Sequence, residues 1–315
     1  MNITVLVPTY RRTQDLDRCL EALKQQISQP SEVLVIVRDS DADTWAFLQA
    51  KETEPLNLRT ICVSIPGQVA ALNAGVDAAQ GDVLAITDDD AAPRKDWLKR
   101  IEAHFLTDDR IGGVGGRDWM YLNGELQDAS VHPGASKVVG QLQWFGRAVG
   151  NHHIGEGQSR EVDILKGANM SYRKSAIAGV RFDEALLGTG AQVHNDLAFS
   201  LAVKRNGWKL IYDPKVEVDH YLSRRFDEDQ RTEAFNEVAC RNAAHNETFV
   251  LLKHLPPGRR IVFFLWSILL GTRSLYGFVN MLRFLPQEKT LAIQKWRVAM
   301  DGRWHGCRSW KQFPF

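Results

Sequence analysis

Asp88, Asp89 and Asp90 stand in a row directly after the apolar run Val83–Thr87. Three adjacent carboxylates repel one another: two unit charges about 4 Å apart cost about 4 kcal/mol at an effective dielectric of about 20. A divalent cation relieves that repulsion. Oxygen-rich sites suit Mg²⁺ or Mn²⁺, and such ions commonly share one or two carboxylates with substrate phosphates. The i, i+2 pair Asp88 and Asp90 can offer different oxygens to one ion. The ordinary alternative is a solvated acidic turn or a helix N-cap, where Asp is also favoured. What lies around the triplet decides between these.

Ile3–Val7 is a β-branched run that stops at Pro8, and Val33–Val37 is continuously apolar, as in a strand buried on both faces. Leu16, Cys19, Leu20 and Leu23 recur at helical spacing between them. A helix over Thr44–Lys51, a strand over Arg59–Val63, a helix over Val69–Ala79 and the strand Val83–Thr87 follow. Strands alternating with helices predict an α/β unit with a mostly parallel sheet. Ligands of such sheets bind beyond the carboxyl ends of the strands. Three strand ends here are polar: Pro8-Thr9-Tyr10-Arg11-Arg12, Asp39-Ser40-Asp41 and the aspartate triplet. Their convergence favours the cation site over the solvated turn.

Beyond residue 110 the pattern loosens. Gly112–Gly116 lacks the spacing of a phosphate loop and fits a flexible strand edge. Residues 119–160 fit a variable, substrate-facing region, in which His152 and His153 are expected to be polar loop residues. Regular structure is expected again over Asp163–Tyr172, in a helix at Asp196–Asn206 and in a strand near Lys209–Tyr212.

Taken in order, these segments resemble glycosyltransferase family 2, with its GT-A nucleotide-diphospho-sugar transferase fold, over roughly residues 1–222. Val7–Arg12 is similar to the family's P-T-Y/F-N/R opening, and Gly67 with Ala71–Gly75 to its G-x-x-x-A-R-N-x-G stretch, with Leu72 in place of the Arg. Asp88–Asp90, Pro93 and Trp97-Leu98 match the DxD segment and its continuation. Lys166–Arg173 resembles the G-x-N-x-x-x-R-R block, Asn195-Asp196 the E-D pair with Asn for Glu, and Gly207–Pro214 with His220 the family's ending. The resemblance implies an inverting, metal-dependent transfer of a sugar from a nucleotide diphosphate to a hydroxyl. It places Pro8, Thr9, Tyr10, Arg12, Asp39, Asn73, Asp88 and Asp89 around the donor, and Asp90, Asp88 and His220 on Mn²⁺ or Mg²⁺. Asp196 would be the general base, with Gly167, Asn169 and Asn195 near sugar and acceptor. A UDP-sugar is the family-weighted donor, and a lipid-linked or polysaccharide glycan the acceptor.

Two rivals stand beside this. A sugar-phosphate nucleotidyltransferase shares the architecture, but usually has a Gly-rich phosphate loop with Lys or Arg, absent after Val7. A non-catalytic nucleotide-sugar-binding protein is the other, and Asn195 is its main support.

The net charge of +1 over 315 residues argues against bulk nucleic-acid binding, yet it hides an asymmetry. Eleven Lys/Arg against Glu288 and Asp301 follow Leu251, so the tail is strongly basic and the body acidic. Ile261–Leu270 and Leu275–Leu285 are apolar, but Arg273 interrupts them and disfavours a span, because an Arg at a span centre costs about 3 kcal/mol. A helical extension over 223–315 is expected, either lying at a membrane interface or packed on the enzyme or on a second copy. No feature sets an oligomeric state. Scattered Cys19, Cys62, Cys240 and Cys307, without CxxC spacing, fit reduced thiols. With no secretory signal pattern at the start, the cytoplasm, including the cytoplasmic membrane face, is the expected location.

Overall fold

The computed structural model describes residues 1–127, 134–228 and 234–312. Its first half alternates as the sequence predicts: β1 (Ile3–Thr9), α1 (Thr13–Lys24), β2 (Glu32–Arg38), α2 (Ala42–Ala50), β3 (Leu58–Val63), α3 (Gln68–Ala78) and β4 (Val83–Ile86). A short β5 (Ala91–Pro93), α4 (Trp97–Thr107), the long β6 (Ile111–Leu122) and β7 (Glu125–Leu126) follow. Then come a hairpin of β8 (Gln141–Leu142) and β9 (Ala148–Val149), followed by β10 (Arg160–Val162), β11 (Met170–Arg173), α5 (Asn195–Arg205) and β12 (Lys209–Tyr221).

The sheet runs β10-β12-β6-β11-β4-β1-β2-β3. β4, β1, β2 and β3 are mutually parallel, and β6 pairs parallel with β12; β11 is antiparallel to both its neighbours. Side-chain alternation feeds two cores. Val5, Val7, Val33, Val35 and Val37 face the layer of α1, α2 and α4, while Leu6, Leu34 and Ile36 face that of α3 and α5.

Gly112–Gly116 is not a flexible edge. It lies in β6 with β11 on one side and β12 on the other, buried throughout. The glycines let neighbours close in: a Cβ on Gly112 would meet Trp208, and one on Gly116 would collide with the Val216 carbonyl oxygen. Gly116→Ala is expected to destabilise the fold by about 2 kcal/mol, the usual cost of overpacking, read as a lowered urea midpoint. Two further expectations are revised. Residues 163–169 form a turn rather than regular structure, and the strand beginning at Lys209 runs on to Tyr221 because β6 pairs along its length. His152 is buried rather than loop filler: its Nε2 lies 3.0 Å from the Ile164 carbonyl and its ring packs edge-on to Tyr212.

The tail is helical: α6 (Glu237–His254), α7 (Pro257–Leu269), α8 (Phe278–Glu288) and α9 (Thr290–Gln312). Phe249, Val250, Leu251 and Phe263 join the same core as Leu6 and Ile36. Gly302 and Gly306 let α9 close on the backbone of α6. The buried Arg303 guanidinium donates to the carbonyls of Leu275 and Tyr276, pinning the α7–α8 turn to α9.

Candidate nucleotide and metal site

The polar strand ends meet in one cleft, with about 880 Å³ of empty space open to solvent. Pro8, Thr9, Tyr10 and Arg12 enter from β1, Ile36 and Arg38 from β2, Val63 and Ile65 from β3 and Asp88 and Asp90 after β4. Gly67 and Gln68 at the start of α3 add to the wall, with Thr189–Ala191 and Arg225–Asp227 opposite. Tyr10 forms an aromatic platform: Phe226 meets it edge-on at 6.2 Å, and the Arg11 and Arg38 guanidinium groups lie 5.0 and 5.6 Å from its ring centre.

The triplet divides its work. Asp89 is fully buried and both its oxygens meet Arg12, at 2.6 and 3.1 Å. Burial and the charges of Asp90 and Asp88 push its carboxyl up to about 7, against the opposing pull of Arg12. Asp89 is not among the residues that line the cleft; its carboxylate is turned to Arg12. Arg12 also reaches Asp90 Oδ2 at 3.0 Å. Its pKa is raised: burial opposes the charge, but Asp89, Asp90 and Asp88 outweigh it.

On the other side, β5 pairs with β12 so that His220 stands opposite Ala91, next to Asp90. One ligand atom each from Asp88, Asp90 and His220 lies within 4.8 Å of the others. His220 is buried, neither ring nitrogen makes a hydrogen bond, and Nε2 is 3.2 Å from Asp90 Oδ1. A buried imidazole left without hydrogen bonds beside two carboxylates is what a metal ligand needs before the ion arrives. The residues fit a divalent cation.

The remaining expected residues scatter. Asp39 is exposed just past β2 and is absent from the cleft wall, where Arg38 stands instead. The Asn73 amide is engaged in both directions by the Phe182 backbone, at 2.9 and 3.0 Å. Asn169 is buried; it accepts from Trp97 Nε1 at 2.9 Å and donates to the Val216 carbonyl at 2.8 Å, so it braces β12 from behind. Gly167 sits in the tight turn bridged by Lys166 and Asn169, with open space beside it. Asp196 is half-buried in the first turn of α5, one residue inside the helix, and its carboxylate accepts from Leu197 N at 2.8 Å. The N-cap position belongs to His194, so capping does not account for Asp196.

Three residues join these pieces. Gln68 Nε2 donates to Asp88 Oδ1 at 3.2 Å while its Oε1 accepts from buried Asn195 at 3.3 Å, linking metal side to α5. The other two are an ion pair, half-buried Lys166 and fully buried Asp118, 2.8 Å apart. Burial opposes the Lys166 charge, but Asp118, Asp196 and Asp88 together hold its pKa high. Burial likewise opposes the Asp118 carboxylate, and Lys166 and His220 keep its pKa low. Lys166 thus sits in the field of both the expected base and the metal carboxylates. Gln68 and Lys166 adjoin segments with sequence signals, Gly67 and Gly167–Asn169. Asp118 had one unused signal, a lone acid inside a long strand.

The model of the family described as glycosyl transferase family 2 matches residues 4–175, more than half of the chain. The chain belongs to glycosyltransferase family 2. Its match with the glycosyltransferase AglE of Haloferax volcanii is 29% identical over 126 residues, covering 39% of this chain and 41% of that protein, well under half of either length. Two solved structures share the fold at 17% identity. One is the mannosyltransferase PcManGT from Pyrobaculum calidifontis in complex with GDP-Man and Mn²⁺, with a TM-score of 0.58 over 98% of this chain and 84% of that one. The other is S. aureus TarS 1-349 in complex with UDP-GlcNAc, with a TM-score of 0.59 over 99% and 90%. The GT-A fold expected of a family 2 member is therefore the fold observed.

Proposed function

We propose that this family 2 member is an inverting, metal-dependent enzyme that moves a sugar from a nucleotide diphosphate to the hydroxyl of a lipid-linked or polysaccharide glycan. The observation that carries this reading is the grouping of Asp88 and Asp90, which line a cleft walled by Tyr10 and Phe226, with the buried, hydrogen-bond-free imidazole of His220. Asp88, Asp90 and His220 would hold Mn²⁺ or Mg²⁺. When bound, the ion neutralises the charge that grows on the departing diphosphate.

The chain's own residues do the rest. Tyr10 and Phe226 offer apolar faces to the base, and Arg12 fixes Asp89 and Asp90 so that the cation ligands keep their geometry. Asp196 takes the proton of the acceptor hydroxyl as its oxygen attacks the anomeric carbon opposite the diphosphate. Lys166, in the field of Asp196 and Asp88, offsets part of the negative charge of the two anionic centres. A UDP-sugar is the proposed donor, supported by the family resemblance; the likeness to structures holding GDP-Man and UDP-GlcNAc leaves the choice of base to the cleft wall. The boundary near residue 222 is proposed to divide the transferase strands from the helical extension, with Arg225–Asp227 just beyond it still walling the cleft; the cytoplasm, including the membrane face, is the proposed location. The nucleotidyltransferase and the non-catalytic binding protein have no supporting observation beyond the shared architecture and Asn195.

A thermal-shift screen of nucleoside diphosphates and their sugars, with and without Mn²⁺, tests the reading. Ligand at about a hundred-fold above Kd stabilises by about 2.7 kcal/mol, so the right nucleotide should stand out, and only with the ion. No stabilisation by any of them would overturn the proposal. Within that screen, Gln68→Ala is expected to weaken Mn²⁺-dependent stabilisation about ten-fold in apparent Kd, the lower worth of a hydrogen bond to a charged group, with the ligand-free unfolding temperature little changed.

A further inference from the structure

Helices α7 and α8 carry a feature that sugar transfer does not use. On α7, Phe263 and Ser267 are buried, with Phe263 against Gly146 and the Trp266 ring tilted against Phe145 at 5.2 Å. The opposite side bears Ile261, Leu265 and Leu269, spaced four apart, and α8 adds Phe278, Val279 and Leu282. These six side chains are between 45% and 64% exposed. They are not loose ends. The turn between the helices is closed by a Gly271–Tyr276 bridge and held by Arg303, and Arg260 donates to the Leu255 carbonyl. A rigid hairpin thus presents a contiguous run of apolar groups outward, which a lone soluble surface rarely tolerates without a role.

Charge says what covers it. From Thr248 to Gln287 there is no Asp or Glu, while Lys253, Arg259, Arg260, Arg273 and Arg283 all fall in that stretch. Arg273, in the turn, and Arg283, beside Leu282, are exposed. Trp144 is 68% exposed and adjoins the start of α7, where Arg259 donates to its carbonyl at 2.8 Å. Apolar side chains flanked by cations, with Glu288 at the end of α8 already paired to Lys295 and a Trp at the margin, match the boundary between acyl chains and anionic headgroups. No helix among the described residues is long and apolar enough to cross a membrane, so the contact is along the surface.

We infer that the α7–α8 hairpin docks this chain on an anionic lipid surface, with Ile261, Leu265, Leu269, Phe278, Val279 and Leu282 entering the acyl boundary and Arg273 and Arg283 meeting the headgroups. The inference concerns location and stands apart from the transfer chemistry. The test needs neither donor nor acceptor, so its failure leaves the transfer reading intact.

The full chain is mixed with phosphatidylcholine vesicles, with or without phosphatidylglycerol, and floated. Partitioning into phosphatidylglycerol-containing vesicles is expected to exceed that into phosphatidylcholine alone at least about ten-fold, and to fall as salt is raised. Combined Leu265→Ser, Leu269→Ser and Leu282→Ser should cost at least about ten-fold in partitioning, at an unchanged unfolding temperature. Should that variant not fold, Arg273→Glu with Arg283→Glu, both at exposed positions, should abolish the phosphatidylglycerol preference. Equal binding to both vesicle types, or undiminished binding by these variants, would overturn the inference. So would a concentration-dependent dimer in light scattering that the leucine substitutions dissolve, because the face would then belong to a second copy.

Discussion

Asp90→Ala is expected to lower kcat/KM for sugar transfer by about a thousand-fold and to erase the Mn²⁺-dependent part of nucleotide stabilisation. Such a loss equals about 4 kcal/mol of transition-state stabilisation, within the several kcal/mol that a Lewis-acidic ion supplies. The size follows from the position of this residue between two partners. Its Oδ1 faces His220 at 3.2 Å and its Oδ2 receives Arg12 at 3.0 Å. Its removal takes one of three candidate ligands and leaves Arg12 with its two contacts to Asp89. Asp89→Ala makes the contrast. That side chain lies behind the cleft in a two-oxygen contact with Arg12, so its loss should act on folding first, because a buried pair is broken and Arg12 is left with Asp90 alone. An unfolding scan of each variant without ligand separates the two: a modest shift for Asp90→Ala, a large fall for Asp89→Ala. A metal response retained in Asp90→Ala would show that the ion sits elsewhere.

The strand ends were legible before any coordinates because their causes are local. A continuous apolar run ending at Pro8, and another ending at Asp88, mark where a buried strand must stop and where its polar sequel must face solvent or ligand. Parallel order then brings those ends to one edge. What a side chain does once it arrives is not local. Asn73 and Asn169 sit in segments similar to donor and acceptor blocks, yet their amides are engaged by Phe182 and by Trp97 with Val216. Those partners lie 47 to 109 residues away, and spacing cannot reveal them. Gly112–Gly116 misled for a related reason. Glycine in a strand signals either weakness or close approach, and only the arrival of Trp208, Tyr172 and Val216 makes it the latter. The tail showed its apolar and cationic character in sequence, but whether its helices were buried or outward depended on which face met residues 145 and 146.

Asp196→Asn is expected to reduce kcat about a thousand-fold, the middle to upper part of what one positioned base contributes, while Mn²⁺-dependent nucleotide binding stays within about two-fold of the parent. The split between the two readouts is the point. Asn keeps the shape and can still accept from the Leu197 amide as the carboxylate does at 2.8 Å, so the first turn of α5 should remain intact. What disappears is a group able to take a proton. Lys166 sharpens the expectation, because its charge is held up partly by Asp196 and partly by Asp118 and Asp88. Neutralising Asp196 leaves half-buried Lys166 still paired with Asp118 at 2.8 Å, so the cation keeps a partner and stability should change little. Substituting the neighbour tests the other half of the argument. Asn195 is already neutral and is tied to Gln68, Ala191 and Gln192, so Asn195→Ala should loosen the link to Asp88 and act through donor KM more than through kcat. If Asp196→Asn instead kept more than about a tenth of the parental kcat, the proton would have to leave by another route, and the base assignment would fall even though the family and the cation site stood.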